Sequence, residues 1–170
     1  MAANIEIKAR VRDFEAFKQR AEELSDTPLE VIPQEDIFFH TPQGRLKLRV
    51  LAPDMGQLIY YDRANASGPK RSDYYIFQTA DPENLKNVLG LAWGVRGVVR
   101  KTRYLCMVGQ TRVHVDDVEG LGQFMELEVV MREGQSDAEG QAIAQELMSK
   151  LEVRESDLLE AAYMDLLEDK

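Results

Sequence analysis

Charged residues recur at every second position in several short segments that are otherwise apolar. In Phe124–Met131, Glu126 and Glu128 interrupt a run of hydrophobic residues, and Lys47 and Arg49 alternate with leucine and valine in the same way. Side chains two apart in a strand project from one face, so each segment predicts a strand with one charged and one apolar face. One solvated face is ordinary in antiparallel sheets. Because the alternation repeats in several strands, and amphipathic helices are available to cover the apolar faces, the pattern favours a barrel with charges inside and helices outside.

The order of the predicted elements indicates the α+β class. Capping residues at Asp13, Asp81 and Ser136 predict three helices, and a fourth is expected from about Ser156. Strands are predicted over residues 4–12, 34–40, 45–51, 57–63, 72–78, 98–108, 111–118 and 123–132. They occur in runs joined by turn-forming residues, which favours consecutive antiparallel pairing, and eight strands are enough to close a barrel. Trp93 is predicted to belong to the hydrophobic core.

The composition limits the setting and the partners. The chain has 170 residues, an ordinary globular composition and no repeat or long linker, so residues 1–170 are predicted to form one domain. No apolar run approaches the ~20 residues of a membrane span, and the first residues lack the apolar core of a signal peptide. The lone Cys106 excludes an internal disulfide, and together these features predict a cytoplasmic protein. The net charge of −9 argues against binding to a nucleic-acid duplex, but it leaves room for a concentrated basic pocket.

The charged strand faces indicate which ligand such a pocket would bind. Arginine grips phosphate oxygens through a bidentate fork and lysine acts as a point charge, so converging basic residues suit a polyanion. Glu6, Glu126, Glu128 and Asp116 carry the opposite charge, and carboxylate oxygens are the ligands that Mg²⁺ and Mn²⁺ prefer. Acid and base in one cavity therefore favour a bound metal–triphosphate. The basic residues at these or matching strand positions are Lys8, Arg10, Lys47, Arg49, Arg63, Lys70, Lys101, Arg103 and Arg112.

Five sequence motifs resemble, in order, those of the CYTH or triphosphate tunnel metalloenzyme family. This family includes class IV adenylyl cyclases and thiamine, inorganic and RNA triphosphatases. The motifs are NIEIK (4–8), similar to the family's Glu-x-Glu-x-Lys strand, then GRLKLR (44–49), LIYYDR (58–63), GPKRSDYY (68–75) and RVHVDDVEGLGQFMELEVV (112–130). The segment LLEAAYMDLL (158–167) resembles the family's closing helix. One such motif would be weak evidence, but five in the family's order are specific.

The resemblance implies an eight-stranded antiparallel tunnel and an enzyme that depends on Mg²⁺ or Mn²⁺. Glu6, Glu126 and Glu128 would bind the metal, and Asp116 would bind metal or help to orient a water. Catalytic roles are assigned to Asp116, Lys8 and Arg63, and Lys70 is expected near the mouth of the tunnel. The expected partner is a small-molecule triphosphate, and a homodimer is left open. The residues expected to hold the triphosphate are Lys8, Lys47, Arg49, Arg63, Lys101, Arg103 and Arg112.

The reaction has more than one interpretation. Hydrolysis of a nucleoside, thiamine or inorganic triphosphate is favoured over cyclic AMP formation, because hydrolysis needs less substrate positioning. Asn4 stands where the family motif has its first glutamate, and an amide oxygen can reach a hard cation without contributing charge. This departure predicts weaker metal binding or a shifted metal, and it motivates a non-catalytic module that binds nucleotide or polyphosphate as an alternative. A lipocalin-like carrier of apolar ligands is opposed by the charged strand faces.

His114 lies in phase with Arg112 and Asp116 on one strand face. The chain has two histidines, His40 and His114, and they do not have the spacing of a zinc site. A structural role for His114 is favoured over a contact with substrate.

Overall fold

Eight antiparallel strands close into a barrel in the computed structural model, which describes residues 2–170. The strands are β1 (Ala2–Arg10), β2 (Glu30–Phe39), β3 (Arg45–Ala52), β4 (Met55–Arg63), β5 (Lys70–Thr79), β6 (Val95–Val108), β7 (Thr111–Val118) and β8 (Gly122–Val130). Around the barrel they follow the order β1–β5–β4–β3–β2–β6–β7–β8. The helices are α1 (Phe14–Leu24), α2 (Pro82–Trp93), α3 (Asp137–Lys150) and α4 (Tyr163–Glu168). The predicted α+β class and closed eight-stranded barrel are therefore confirmed.

The strand register brings the charged positions of neighbouring strands together inside the barrel. Glu6 on β1 lies opposite Glu128 on β8. Two residues further along β1, Lys8 lies opposite Glu126. On the other side of β8, His114 of β7 lies opposite Glu126. A one-residue slip between two strands would move these side chains to the outer face, so the alternation in the sequence fixes the register as well as the face.

The outer face of the β1, β7 and β8 wall packs against α1 and α3. Ile5, Ile7 and Leu127 are fully buried in this layer, where they form one cluster with Phe17 of α1 and Leu147 of α3. Removing this apolar surface from water is the main favourable term in folding. The two helices therefore supply the hydrophobic core that the charged barrel interior lacks.

Side-chain hydrogen bonds begin the first three helices at the predicted places. The carboxylate of Asp13 accepts a hydrogen bond from the backbone N–H of Ala16, and Asp81 caps α2 in the same manner ahead of a proline in its first turn. Ser136 and Glu139 form a reciprocal capping box at the start of α3. Each cap satisfies N–H groups that have no partner within the helix, which explains why these sequence signals were reliable.

The C-terminal segment differs from the prediction of a helix from about Ser156. A short 3₁₀ turn spans Glu155–Asp157, and α4 begins only at Tyr163. Between them the chain runs extended beside β1: Leu158 forms a bridge with Ala9, and the N–H of Leu159 donates to the carbonyl of Lys8 at 2.9 Å. Pairing with the free end of β1 therefore displaces the first turns of the predicted helix.

Ion pairs and a hydrogen bond to the backbone hold α4 and the residue Lys170 after it across one end of the barrel. Arg96 lies 2.6 Å from the carboxylate of Asp165, Arg45 lies 3.4 Å from the same carboxylate, and the ammonium of Lys170 donates to the carbonyl of Gly120. These partners belong to the starts of β6 and β3 and to the turn between β7 and β8, all at the same end of an antiparallel barrel. The fourth helix thus covers an opening, in contrast to α1 and α3, which pack on the outer wall.

Trp93 is an exception to the predicted core. It is the last residue of α2 and is 53% exposed, whereas Phe38 and Phe39 are buried on β2. The large apolar side chain of α2 with the greatest exposure is Leu91, at 90%. The apolar residues of α2 are therefore less buried than their hydrophobicity suggests. Of the helices formed by the described residues, none is both long and apolar enough to cross a membrane.

The contact between α3 and β1 yields a test of the packing. A methyl group on Gly140 would lie 2.5 Å from the sulfur of Met131 and 2.6 Å from Cγ1 of the fully buried Ile5. Alanine normally favours a helix over glycine by about 1 kcal/mol, but here the overlap should dominate. We expect Gly140→Ala to lower the free energy of unfolding by about 1–3 kcal/mol in urea titrations.

Gly90 of α2 is the matched control for this substitution. A methyl group there would meet one atom, Cγ2 of Val95, at 3.3 Å, and Val95 is partly exposed and free to shift. Gly90→Ala should therefore be neutral or stabilising by up to about 1 kcal/mol. Equal effects of the two substitutions would show that the α3–β1 contact is looser than described.

Candidate functional site

The cavity inside the barrel is lined by charged side chains of both signs. Its basic residues come from five strands, and its carboxylates come from β1, β2 and β8. The wall also carries apolar and aromatic residues, among them Tyr61, Tyr74 and Ile76. Ten charged side chains line the cavity: nine are predicted site residues, Lys8, Lys47, Arg49, Arg63, Lys101, Arg112, Glu6, Glu126 and Glu128, and the tenth is Asp36.

Glu126 and Glu128 bind cationic side chains from other strands of the barrel. The ammonium of Lys8 lies 2.9 Å from Oε1 of Glu126, and Nη2 of Arg103 donates to Oε2 of the same residue at 2.7 Å. Arg112 donates to Oε2 of Glu128 at 2.9 Å. The two glutamates predicted as metal ligands are thus held in place by β1, β6 and β7.

Glu6 has a different set of partners. Its Oε2 accepts a hydrogen bond from Nη1 of Arg63 at 3.1 Å. Burial raises the pKa of Glu6, and the nearby Glu128 carboxylate raises it further, while Arg63 opposes both. Two largely buried carboxylates that face each other repel, so a cation placed between them would be stabilised by both.

Arg63 has unused hydrogen-bonding capacity on the cavity wall. Apart from the Nη1 contact to Glu6, its Nε and Nη2 atoms are buried without a partner. Asn4 lines the same cavity, and its Oδ1 is likewise buried without a partner. Buried polar atoms are nearly always hydrogen-bonded, so these exceptions mark where a ligand is expected.

Asp36 is a site residue that the sequence reasoning missed. It lies on β2 and accepts two hydrogen bonds from Arg49, at 2.9 and 3.1 Å, and one from Lys47 at 3.2 Å. Burial acts to raise the pKa of Asp36, but Arg49, Lys47 and Lys101 outweigh it and hold the pKa well below its ordinary range. A signal was present, because Asp36 lies on the predicted strand 34–40 and shares one face with Gln34 and Phe38, just as Glu126 shares a face with Glu128.

Asp116 lies behind the cavity wall. It is fully buried, accepts two hydrogen bonds from Arg103 at 2.8 and 2.7 Å, and accepts a third from the hydroxyl of Tyr163 at 2.9 Å. Arg103 in turn reaches Glu126. Asp116 is therefore placed to orient Arg103, and through it Glu126.

Tyr163 is a second residue whose place in the site the sequence did not predict. It enters the barrel from α4 and lines the cavity, with the ammonium of Lys8 3.8 Å and that of Lys101 4.7 Å from the centre of its ring. It packs against Phe124 inside the closed end. A side chain from the closing helix thus forms the floor of the cavity.

Three of the predicted basic residues are not brought to the cavity wall: Arg103, which is buried against Asp116 and Glu126, and Lys70 and Arg10. The ammonium of Lys70 donates to the backbone carbonyls of Ala66 and Glu160, at 2.6 and 3.2 Å. Arg10 shares the face of Lys8, but it lies past the Phe124 ring, 5.3 Å from the ring centre, and is exposed. Lys70 and Arg10 both act at the closed end of the barrel, where Lys70 holds the C-terminal segment.

Burial changes the titration of Lys47. Removal from water lowers the pKa of its ammonium to about 7, with Asp36 opposing the shift and Arg49 and Lys101 adding to it. Lys47 is therefore largely neutral at mildly alkaline pH. A polyanion in the cavity would make the electrostatic potential around Lys47 negative, which would raise the pKa of Lys47 and restore its positive charge.

His114 faces the two glutamates of β8 from β7. Its Nδ1 lies 3.8 Å from Oε2 of Glu126 and 3.8 Å from Oε1 of Glu128. Burial lowers the pKa of the imidazole, and the Arg103 charge lowers it further. Among the described residues, His114, Glu126 and Glu128 are the three side chains whose ligating atoms converge, all within 4.8 Å of one another.

The charged wall and the strand order agree with one known protein family. A family model of the CYTH domain matches residues 2–163. The chain belongs to the CYTH domain family. Membership confirms the resemblance drawn from the five motifs, and it supports a divalent-metal-dependent enzyme that acts on a triphosphate. A search of curated proteins finds no match.

Several solved structures share the CYTH barrel. The PH1012 protein of Pyrococcus horikoshii is 25% identical, with a TM-score of 0.85 over 96% of this chain and 98% of that one. A candidate adenylate cyclase from Vibrio parahaemolyticus is 22% identical, with a TM-score of 0.78 over 97% of each chain. A candidate adenylyl cyclase from Hippeastrum, described as having a dominant triphosphatase activity, is 16% identical, with a TM-score of 0.64 over 98% and 95%. The fold is common to all three over nearly the full length.

The pKa of Lys47 predicts proton uptake when the CYTH barrel binds a triphosphate. At pH 8 a lysine with a pKa of about 7 is neutral in about nine molecules of ten, and an adjacent polyanion raises its pKa, so that it gains a proton. Calorimetry of ATP binding in metal-free buffers of different ionisation enthalpy measures this uptake.

Lys47→Arg is the matched control, because arginine keeps its charge at all working pH values. The wild type should take up more protons than Lys47→Arg, by about half a proton or more. Protons exchanged by ATP itself and by Lys70 are common to both proteins and cancel. Equal proton counts would contradict a neutral Lys47.

Proposed function

We propose that this chain hydrolyses a small-molecule triphosphate with the help of Mg²⁺ or Mn²⁺. The observation that carries the proposal is the joint presence, in one cavity, of six cations and a converging acidic group. Cations alone would suit any polyanion, and carboxylates alone would suit a metal. Together they match a metal–triphosphate, in which the phosphates face the cations and the metal faces the acids.

The residues present fit a divalent cation. Glu126 and Glu128 offer carboxylate oxygens, and Glu6 lies opposite Glu128 with a raised pKa that a nearby cation would lower again. Asn4 lines the same cavity, and its Oδ1 is buried without a partner. Held by these residues, a divalent cation would supply Lewis-acid polarisation of the phosphoryl group and stabilisation of the charge on the leaving oxygen.

The basic wall binds and orients the phosphate chain. The free Nε and Nη2 atoms of Arg63 are donors for a phosphate oxygen, and Lys8 can exchange its contact with Glu126 for one with phosphate. Lys47, Arg49 and Lys101 surround Asp36 on the opposite wall and offer a second group of positive charges. Preorganised cations stabilise the charge that develops as water attacks the terminal phosphorus and the diphosphate end departs.

The buried residues behind the wall act by positioning. Asp116 holds Arg103, which holds Glu126, so this chain of contacts fixes one of the proposed metal ligands. Tyr163 anchors the other side of Asp116 and lies against Lys8. We assign Asp116 to this positioning role, and Lys8 and Arg63 to direct contact with substrate.

Adenylyl cyclase activity is the second candidate. The apolar and aromatic part of the cavity wall, formed by Tyr61, Tyr74 and Ile76, is the observation that favours it, because a nucleoside has an apolar face to pack. Cyclisation requires the ribose 3′-hydroxyl to be held against the α-phosphorus, which asks more of the site than admitting a water. The dominant triphosphatase activity described for the Hippeastrum relative agrees with hydrolysis as the first choice.

A product assay with a panel of substrates tests the proposal. The protein is incubated with Mg²⁺ or Mn²⁺ and with ATP, thiamine triphosphate or inorganic triphosphate, and the products are separated by chromatography. We expect orthophosphate release from at least one of the three. Cyclic AMP with pyrophosphate would establish the cyclase instead, and tight binding without product under either metal would establish a binding module.

The acidic group predicts the effect of single substitutions on this reaction. Glu128→Gln keeps the shape of the side chain but removes its charge, and we expect kcat/KM to fall at least about a hundredfold. Glu133→Gln, at an exposed position just after β8, makes the same chemical change away from the cavity and should leave the rate unaltered. Unchanged turnover in Glu128→Gln would remove Glu128 from the metal site.

A further inference from the structure

We propose that His114 is a nitrogen ligand of the divalent metal, together with Glu126 and Glu128, and that it makes the site prefer Mn²⁺ over Mg²⁺. This proposal rests on the proposed function, because it concerns the same metal. It adds a ligand from β7, on the opposite side of β8 from Glu6.

The spacing of the three side chains suits one cation. Nδ1 of His114 is 3.8 Å from an oxygen of each glutamate. Bonds of about 2.1 Å, as formed by Mg²⁺, place adjacent ligand atoms about 3 Å apart and opposite ones about 4.2 Å apart. The observed 3.8 Å lies between these limits, and it is too long for a hydrogen bond.

The hydrogen bonds around His114 leave its Nδ1 and the facing oxygen of Glu128 free for a metal, whereas the facing oxygen of Glu126, Oε2, also accepts a hydrogen bond from Arg103 at 2.7 Å. Nδ1 is buried without a hydrogen-bond partner, in a residue that is 3% exposed. On Glu128, the oxygen that faces His114 is Oε1, whereas Arg112 binds Oε2. An unpartnered imidazole nitrogen aimed between two anchored carboxylates has the donor set of a metal site rather than that of a packed histidine.

Glu6 is less well placed than His114 to complete this group. Its Oε2 is bound to Arg63, and its ligating atoms fall outside the converging set. His114, in contrast, is held by β7 directly opposite Glu126, and its own Nδ1 has no hydrogen bond to give up. The tightest group of potential ligands in the described residues therefore contains one nitrogen and two carboxylates.

The nitrogen ligand determines the expected metal preference. Mg²⁺ strongly favours oxygen ligands, whereas imidazole is a good ligand for transition metals. Mn²⁺ accepts both kinds, and it stands among the transition metals in the affinity series. A site with His114 as a ligand should therefore bind Mn²⁺ more tightly than Mg²⁺.

Pulsed electron paramagnetic resonance of the Mn²⁺-loaded protein tests the bond without reference to turnover. We expect the wild type to show the ¹⁴N modulation of a directly bound imidazole. The modulation should persist in His40→Gln, which removes the other, exposed histidine, and should be lost in His114→Gln. Wild-type protein labelled with ¹⁵N at histidine should change the modulation from ¹⁴N to ¹⁵N, which keeps the test decisive if His114→Gln fails to fold.

Equilibrium titrations measure the preference. His114→Gln should weaken Mn²⁺ binding about tenfold or more and change Mg²⁺ binding by less than about threefold, so the ratio of the two affinities falls. Bound Mn²⁺ without histidine modulation, or equal losses for both metals, would overturn the proposal and leave the proposed function standing. Failure of both metals to support product formation would overturn the proposed function by a separate measurement.

Discussion

The mutual neutralisation of buried cations and carboxylates makes this barrel possible. An ion moved from water into a protein interior is strongly disfavoured unless a partner of opposite charge and hydrogen bonds replace the lost hydration. Asp36 meets Arg49 and Lys47, and Glu126 meets Lys8 and Arg103. The Asp36 contacts and the contact between Lys8 and Glu126 join neighbouring strands, so the strand register and the charge balance depend on each other. The net stability must then come from the apolar outer faces, where α1 and α3 pack.

The fold could be predicted because the period-two alternation and the helix caps are local signals. They identified the strands, the inward faces and the starts of three helices. The fourth helix was misplaced because the bridge between Leu158 and Ala9 depends on residues far away in the sequence. Trp93 was misjudged for a related reason: hydrophobicity says that a side chain gains from burial, but not whether another element arrives to cover it.

Alternation gave the face of each site residue but not its depth along the barrel. Lys8 and Arg10 share a face, yet the Phe124 ring separates Arg10 from the cavity. The depth of a side chain along the barrel depends on how the eight strands are staggered and on where Tyr163 enters. Neither can be deduced from the sequence of a single segment. Asp36 and His114 gained their importance from partners on adjacent strands. Their roles could be recognised only once the pairing of the strands was known. The search for carboxylates on one face of a strand, which singled out Glu126 and Glu128, could still have drawn attention to Asp36.

The position of β1 has a consequence for biosynthesis. Of the eight strands, β1 is made before the others, but one of its two neighbours, β8, is made more than a hundred residues later. Until β8 emerges, Glu6 and Lys8 have only part of their final surroundings, and the apolar face of β1 awaits α3. Pairing between strands so distant in sequence slows folding and leaves aggregation-prone intermediates with exposed apolar surface. The growing chain would therefore benefit from a chaperone that shields β1 during translation.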